Sequence, residues 1–479
     1  VKRYILVRKI KIEKRCKKKK MKQRRFTNKK LIALMLPLAV DQLLNSFMGT
    51  VDTLVVSNLG SAAISAVSLV DSINILVVQA FFALASGGTV VCSHYLGCEK
   101  KERATNAARQ LVFITFAMSL VIAIACHLFS NQLLGVIFGQ VEPAVMDNAK
   151  KYFFFSAMSY PFIALYDDGA CILRAQENSK LPMQISFVAN GINVALNLIF
   201  VWVLHLGVAG SSAATMIARA FAMVAVLYKL RNPKMKIQLR DYFSIRPEWE
   251  EIKRILHIGV PSGIENGMFQ FGKLAIQSTV SSMGTVAIAA QAMTNILENV
   301  NGIAGIGIGI GLMTVVGRSI GAKRKEEAKY GECLGAGEKE EAVYYIKKIS
   351  IAAEVVLIAT CLLMFGLTYP ITYFGGMEPE SAKLCIFMVT CITIVKPIVW
   401  IMAFIPPYGF RAAGDVRFTM TTSMLCMWFC RVVLAMVLAR VFHMGPIAVW
   451  IGMFTDWTIR GIVFTFRFMG RRWLAHKVV

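Results

Sequence analysis

Residues 37–104 and 261–328 of this 479-residue chain are one stretch written twice, at a constant offset of 224 and without a gap. Pro37-Leu-Ala-Val-Asp41 lines up with Pro261-Ser-Gly-Ile-Glu265. Phe47 falls on Phe271, Gly60 on Gly284, Gly87 on Gly311, Gly97 on Gly321, and Glu102-Arg-Ala104 on Glu326-Glu-Ala328. Each copy lies within long apolar segments, and each carries a carboxylate four residues after a proline. A duplicated apolar bundle with an acid inside each half is the sequence form of a secondary transporter.

The remaining sequence fits that form. The chain is 56% hydrophobic and 17% charged, whereas an average soluble domain carries about a quarter charged residues. Its apolar residues come in blocks long enough to cross a hydrocarbon core of about 30 Å. Twelve such blocks are expected, near 31–56, 62–90, 104–129, 146–169, 182–205, 207–229, 255–280, 285–315, 343–368, 381–406, 418–442 and 445–466. The net charge of +25 invites a nucleic-acid reading until the charges are placed. Residues 1–30 hold sixteen Lys or Arg against Glu13, and further basic runs recur at 100–103, 174–180, 229–254, 318–348, 411–417 and 467–477. The alternate connectors near 57–61, 130–145, 205–207, 280–284 and 369–380 contain none. Basic residues divided in this way obey the positive-inside rule and exclude a nucleic-acid surface. The expected protein is multi-pass in the cell (plasma) membrane, with both termini cytoplasmic and lipid as its surroundings.

The first apolar block is too long for the core of a cleavable signal peptide, so none is expected. Val1 and the later Met21 leave open whether residues 1–20 are an upstream extension. The expected organisation is a basic arm at 1–30, a first lobe at 31–230, a linker at 231–254, a second lobe at 255–470 and a tail at 471–479. Six spans per half make the repeat parallel, with its axis along the membrane normal. The distal parts correspond at shifting offsets: Tyr160-Pro161 with Lys396-Pro397, Arg174-Ala175 with Arg411-Ala412, and Gly207 with Gly445. A local tandem copy at 317–342 reads as a loop duplication. The glycine run Gly302-Ile-Ala-Gly-Ile-Gly-Ile-Gly-Ile-Gly311 follows no strand, so it reads as a close-packing helix face and not as a nucleotide loop. No HExxH, nucleophile elbow or Walker pattern supports an enzyme. Eleven cysteines, mostly within spans, read as apolar fillers, and no cofactor or metal is expected beyond a transported ion.

Asp41, inside the first span, is the acid expected to work. A carboxylate there costs about 2.5–3.5 kcal/mol on insertion scales, so it should face a cavity and exchange a proton, Na⁺ or an organic cation. Glu265 is its second-lobe counterpart. Lys273, Glu298, Lys396, Arg431 and Asp456 are expected to be structural or cavity charges. Lys273 with Glu298 is one expected pair; Asp456 with Arg431, or with Arg460 at i, i+4, is another. Asn193 and Asn197, also i, i+4, share a helix face, and with Asn190 and Thr215 they offer neutral oxygens. Asp52, Asp71, Asp167 and Asp168 rank below Asp41 because they lie nearer span ends or lack a like-charged repeat partner.

These residues resemble the multidrug and toxic compound extrusion (MATE) family. The similarity runs from about residue 30 to the end and rests on Pro37…Asp41, Val51-Asp-Thr-Leu…Leu-Gly60, Tyr95-Leu-Gly97, the matching Pro261…Gly321 half and Arg411-Ala-Ala-Gly-Asp415. It implies an all-α integral membrane protein of 12 transmembrane helices in two six-helix lobes. It also implies a monomer exporting small organic cations and other toxic compounds against entering Na⁺ or H⁺. Carried over, the ion site would be Asp41, Asn193, Asn197 and Thr215, with Glu265 the second-lobe acid. Two departures stand out: Asn197 stands where some members have an acid in the fifth span, and the tenth span offers Lys396 where some members have an acid in that helix. The rival reading is a flippase for lipid-linked precursors, which would use Lys273, Lys396 and Arg431 to hold a pyrophosphate.

Overall fold

A computed structural model describes residues 26–139, 142–240, 246–281, 283–330, 332–374, 376–476 and 478. The described residues are almost entirely helical. The first half runs α1 (Asn28–Ser57), α2 (Ser61–Gly97), α3 (Lys101–Leu128), the short α4 (Ser130–Phe138), α5 (Pro143–Met158), α6 (Tyr160–Ala175), α7 (Lys180–Asn197) and α8 (Gly207–Leu230). The second runs α9 (Trp249–Ser281), α10 (Thr285–Tyr330), α11 (Glu332–Phe374), α12 (Pro379–Ala412), α13 (Val416–Leu425), α14 (Leu434–Arg440) and α15 (Ile447–Met469). A π-helical turn extends α7 through Leu198–Val203, and another, Cys426–Val433, joins α13 to α14. Among the described residues nine helices are long and apolar enough to cross a membrane. Large apolar side chains such as Ile32, Val121, Leu128, Trp202 and Ile398 stand exposed on their outer faces. In lipid that exposure carries no penalty, because hydrocarbon is as apolar as the side chains.

The sequence repeat recurs in the turns that join its helices. Leu59 N donates to Val56 O at 2.9 Å, and Met283 N to Val280 O at the same distance. Gly60 and Gly284, which follow, hold φ at +100° and +93°, values that only a residue without a Cβ adopts at little cost. The distal halves agree too: His205 and His443 have φ of 51° and 52°, and Gly207 and Gly445 of 59° and 64°.

Small residues bring the halves together. A Cβ on Gly87 of α2 would lie 2.6 Å from Ile255 O of α9, and one on Gly307 of α10 would lie 2.7 Å from Ala39 Cα of α1. The crossings are repeat mates, since Ala83, near Gly87, occupies the position of Gly307. Farther along, Gly97 and Gly321 bring α2 against α10, where a Cβ would meet Arg318 O at 2.5 Å or His94 O at 2.3 Å. Two polar latches, again repeat mates, span this end. His94 Nε2 sits 2.6 Å from Ala412 O, and Arg318 Nε donates to Ala175 O at 3.1 Å. The glycine run is thus a packing surface, as its composition suggested.

One expectation changes, and the two ends add detail. The tandem copy at 317–342 is not a loop: helix α10 runs to Tyr330 and α11 begins at Glu332, while residue 331 lies outside the described residues. The C-terminal segment is anchored, because a 3₁₀ turn at Arg472–Ala475 buries Trp473 against Phe410 and Phe468, at ring distances of 5.4 and 6.1 Å. The basic arm lies outside the described residues except for 26–30. There Phe26 N donates to Tyr345 OH at 2.8 Å, and Thr27 caps α1.

Candidate functional site: a charged cavity between the halves

Where the glycine crossings end, the halves separate around a cavity of about 730 Å³. Its walls are helix stripes. From α1 come Asp41, Gln42, Asn45, Met48, Gly49 and Asp52; from α9 come Ser262, Glu265, Asn266, Phe269, Gln270 and Lys273. Both sets step at the i, i+3, i+4, i+7 spacing of one helix face, so each helix turns a single polar stripe inward.

The four residues expected to form one ion site do not gather. Eleven residues separate Asp41 from Asp52, about 16 Å along a helix at 1.5 Å per residue. Asn193, Asn197 and Thr215 sit at the Asp52 level. Asn197 Nδ2 donates to Asp52 Oδ1 at 2.7 Å and to Asn193 Oδ1 at 3.1 Å. Asn193 Nδ2 donates to Thr215 Oγ1 at 3.0 Å, and that hydroxyl lies 3.5 Å from Asp52 Oδ2. Asn193 and Asn197 are fully buried, and Asn197 Oδ1 meets no donor. One carboxylate, two amides and a hydroxyl are thus joined in a single buried cluster, and their oxygens are of the type that hold a hard monovalent cation or a proton. Beside it, Asp71 accepts from Asn74 Nδ2 at 3.1 Å and Tyr152 OH at 3.3 Å.

Asp41 is instead locked to a cation. Its Oδ2 lies 3.1 Å from Arg174 of α6, with side chains 2% and 4% exposed. Glu265 repeats the arrangement: its Oε1 lies 2.6 Å from Arg411 of α12. The arginines were already matched in the sequence alignment of the halves, and that match was the signal for both pairs.

The remaining second-half charges sort as follows. Glu298 pairs with fully buried Lys396 at 2.8 Å, and not with Lys273 as the sequence had suggested. The Lys396 ammonium also sits 5.4 Å from the Trp400 ring centroid and 5.9 Å from that of Trp457. Asp456 takes Arg460 at 2.7 Å, the i, i+4 alternative of the two expected. Lys273 and Arg431 flank one ring: Nζ and Cζ lie 5.1 and 5.5 Å from the centroid of Phe269.

Known proteins share both pattern and fold. The MatE family model matches residues 37–199 and again 261–330, once in each half. An uncharacterized transporter of Bacillus subtilis (strain 168) is 26% identical over 93% of this chain and 94% of its own length. A probable multidrug resistance protein NorM of Thermotoga maritima is 23% identical over 94% of both chains. An outward-facing multidrug resistance MATE family transporter of the MOP superfamily superposes with a TM-score of 0.83 at 16% identity, covering 92% of this chain and 96% of its own. A MATE structure in a bent conformation gives 0.81 at 19% identity, covering 93% and 96%. With the family pattern present in both halves, the MATE fold over nearly the whole length and relatives that are transporters, this chain is a multi-pass membrane protein of the MATE family.

Proposed function

We propose that the protein is a cation-coupled antiporter that exports organic cations and other toxic small molecules by rocking two six-helix lobes about the central cavity. The observation that carries this reading is the buried Asp52, Asn193, Asn197 and Thr215 cluster opening on a cavity shared by both halves. In this reading the twelve helical segments span the membrane and both termini are cytoplasmic. The glycine crossings and the His94 and Arg318 latches form the cytoplasmic seal of an outward-open state. Entry of Na⁺ or H⁺ at Asp52 neutralises its carboxylate and removes the attraction for a cationic cargo, which leaves. Binding that is stronger to one state than the other is what lets an ion gradient drive the cycle.

Asp52, and not Asp41, is the coupling acid in this proposal, because Arg174 already neutralises Asp41. The flippase reading loses one of its three cations, because Lys396 is held by Glu298, and it keeps Lys273 and Arg431.

Uptake of a fluorescent organic cation into inside-out vesicles tests the assignment, with an imposed proton gradient compared against a sodium gradient. Asp52→Asn should reach the membrane and lose gradient-driven uptake by tenfold or more, a difference of about 1.4 kcal/mol. Wild-type uptake rates in the Asp52→Asn vesicles would remove Asp52 from the mechanism.

A further inference from the structure

The cavity is bipolar. Once ion pairs are set aside, the first-half wall presents Asp52, Asp71 and Asp167 with Arg219, whose guanidinium donates to Ser159 Oγ at 2.7 Å. Around the second-half wall stand five cations, Lys273, Lys396, Arg411, Arg431 and Arg460, and three acids, Glu265, Glu298 and Asp456. Each acid is taken by one cation, namely Arg411, Lys396 and Arg460. Lys273 and Arg431 are left over: among the described residues neither has a carboxylate within 4 Å.

Both cations contact the same Phe269 ring, and the buried Nε of Arg431 meets no acceptor among the described residues. Two like charges brought together in a low-dielectric setting repel, and the ring quadrupole offsets a fraction of that cost. An anion arriving from the cavity would offset far more. Lys273 and Phe269 lie on the cavity stripe of α9, and Arg431, 5.5 Å from the ring centroid, lies on a π-helical turn, a helix irregularity frequent at functional sites.

We propose that Lys273, with Arg431 and Phe269, is a subsite for a carboxylate of the cargo, so that the preferred substrates carry an amine and a carboxylate on one scaffold. The proposal rests on the cavity being the export path. The cationic end faces the acidic first-half wall and the carboxylate faces Lys273. Phe269 supplies an apolar surface between the two.

The test uses a carboxy-rhodamine, which is zwitterionic, and its methyl ester, which is a plain cation of almost the same shape. Binding is read by fluorescence anisotropy on the purified full chain, and transport in proteoliposomes. Wild type should bind the acid about tenfold tighter than the ester, the size expected of one charge-assisted contact in a partly wet cavity. Lys273→Gln should collapse that difference, and Lys273→Arg should restore it. A subsite for lipid phosphate would instead show anionic lipid competing equally against both dyes, and that result overturns the proposal. So does a Lys273→Gln variant that keeps the acid-over-ester preference. Preference without transport of either dye would leave the carboxylate subsite standing and sink the export reading; transport of both dyes without preference would do the reverse.

Discussion

The stripes of α1 and α9 descend from one sequence and do different work. At the first level they agree: Asp41 and Glu265 each meet the matching arginine of their own half, Arg174 and Arg411. Two turns on they part. Gly49 of α1 corresponds to Lys273 of α9, and Asp52 corresponds to Ile276, a buried apolar residue. The shared positions hold helices together, whereas the diverged positions leave charge facing the cavity, negative in the first half and positive in the second. A repeat thus preserves what both lobes need for assembly and frees the adjacent turns to specialise.

The two ion pairs give the largest test of that distinction. Removing one partner of a buried pair strands the other charge, at about 3–5 kcal/mol. Arg174→Met should cost that much in thermal unfolding of the detergent-solubilised protein. Arg411→Met should cost clearly less, because Arg411 and Glu265 are 16% and 9% exposed and cavity water screens the remaining charge. The double variant Asp41→Asn, Arg174→Met should recover much of the single variant's loss, since no orphaned charge remains. Equal losses in the two halves, or no recovery in the double variant, would show that these pairs are not the scaffold element described.

A smaller contrast separates the glycine crossings. A Cβ at Gly87 strikes the backbone, 2.6 Å from Ile255 O and 2.9 Å from Gly259 N. At the repeat mate Gly311 the nearest atom is Met35 Cγ at 3.0 Å, part of a flexible side chain. Gly87→Ala should therefore cost up to about 3 kcal/mol, the upper range for overpacking. Gly311→Ala should cost under about 1 kcal/mol as methionine shifts aside. Unfolding curves for the two variants would settle the order, and a reversed order would mean that the α1/α10 contact is the tighter of the two.

Much of this was legible in the sequence. The long apolar blocks, the 224-residue repeat, the glycine face and the Asp456–Arg460 pair all depend on local spacing, which a sequence displays directly. The sequence placed Asp41 beside Asn193, Asn197 and Thr215, whereas the structure gives Asp41 to Arg174 and brings Asp52 to those three, and the difference has a physical reason. The expectation favoured an acid with an acidic repeat mate, yet symmetry marks what both halves keep, and Asp52, which joins the polar cluster, has the apolar Ile276 as its mate. Asn193, Asn197 and Thr215 were identified correctly as a polar set. Which level of α1 they meet depends on how α1 and α7 slide past each other, and no periodicity encodes that register. The partner of Glu298 was missed similarly, because Lys396 reaches it from a helix about a hundred residues away.

The smallest expected difference between the halves belongs to the two turns where they are most alike. Gly60 and Gly284 both hold strongly positive φ, and at neither would a Cβ meet any atom within 4 Å. Packing therefore contributes nothing, and substitution measures backbone strain alone. An L-residue forced into positive φ costs roughly 1–2 kcal/mol. Gly60→Ala and Gly284→Ala should each lower stability by that amount, and by the same amount as each other within about 0.5 kcal/mol. The equality is the informative part: it holds only if each turn is loaded by the same hydrogen bonds, Leu59 N to Val56 O and Met283 N to Val280 O. A turn in one half that tolerates alanine while its mate does not would show that the repeat has relaxed there. Divergence between the halves would then reach beyond the cavity wall into the frame that supports it.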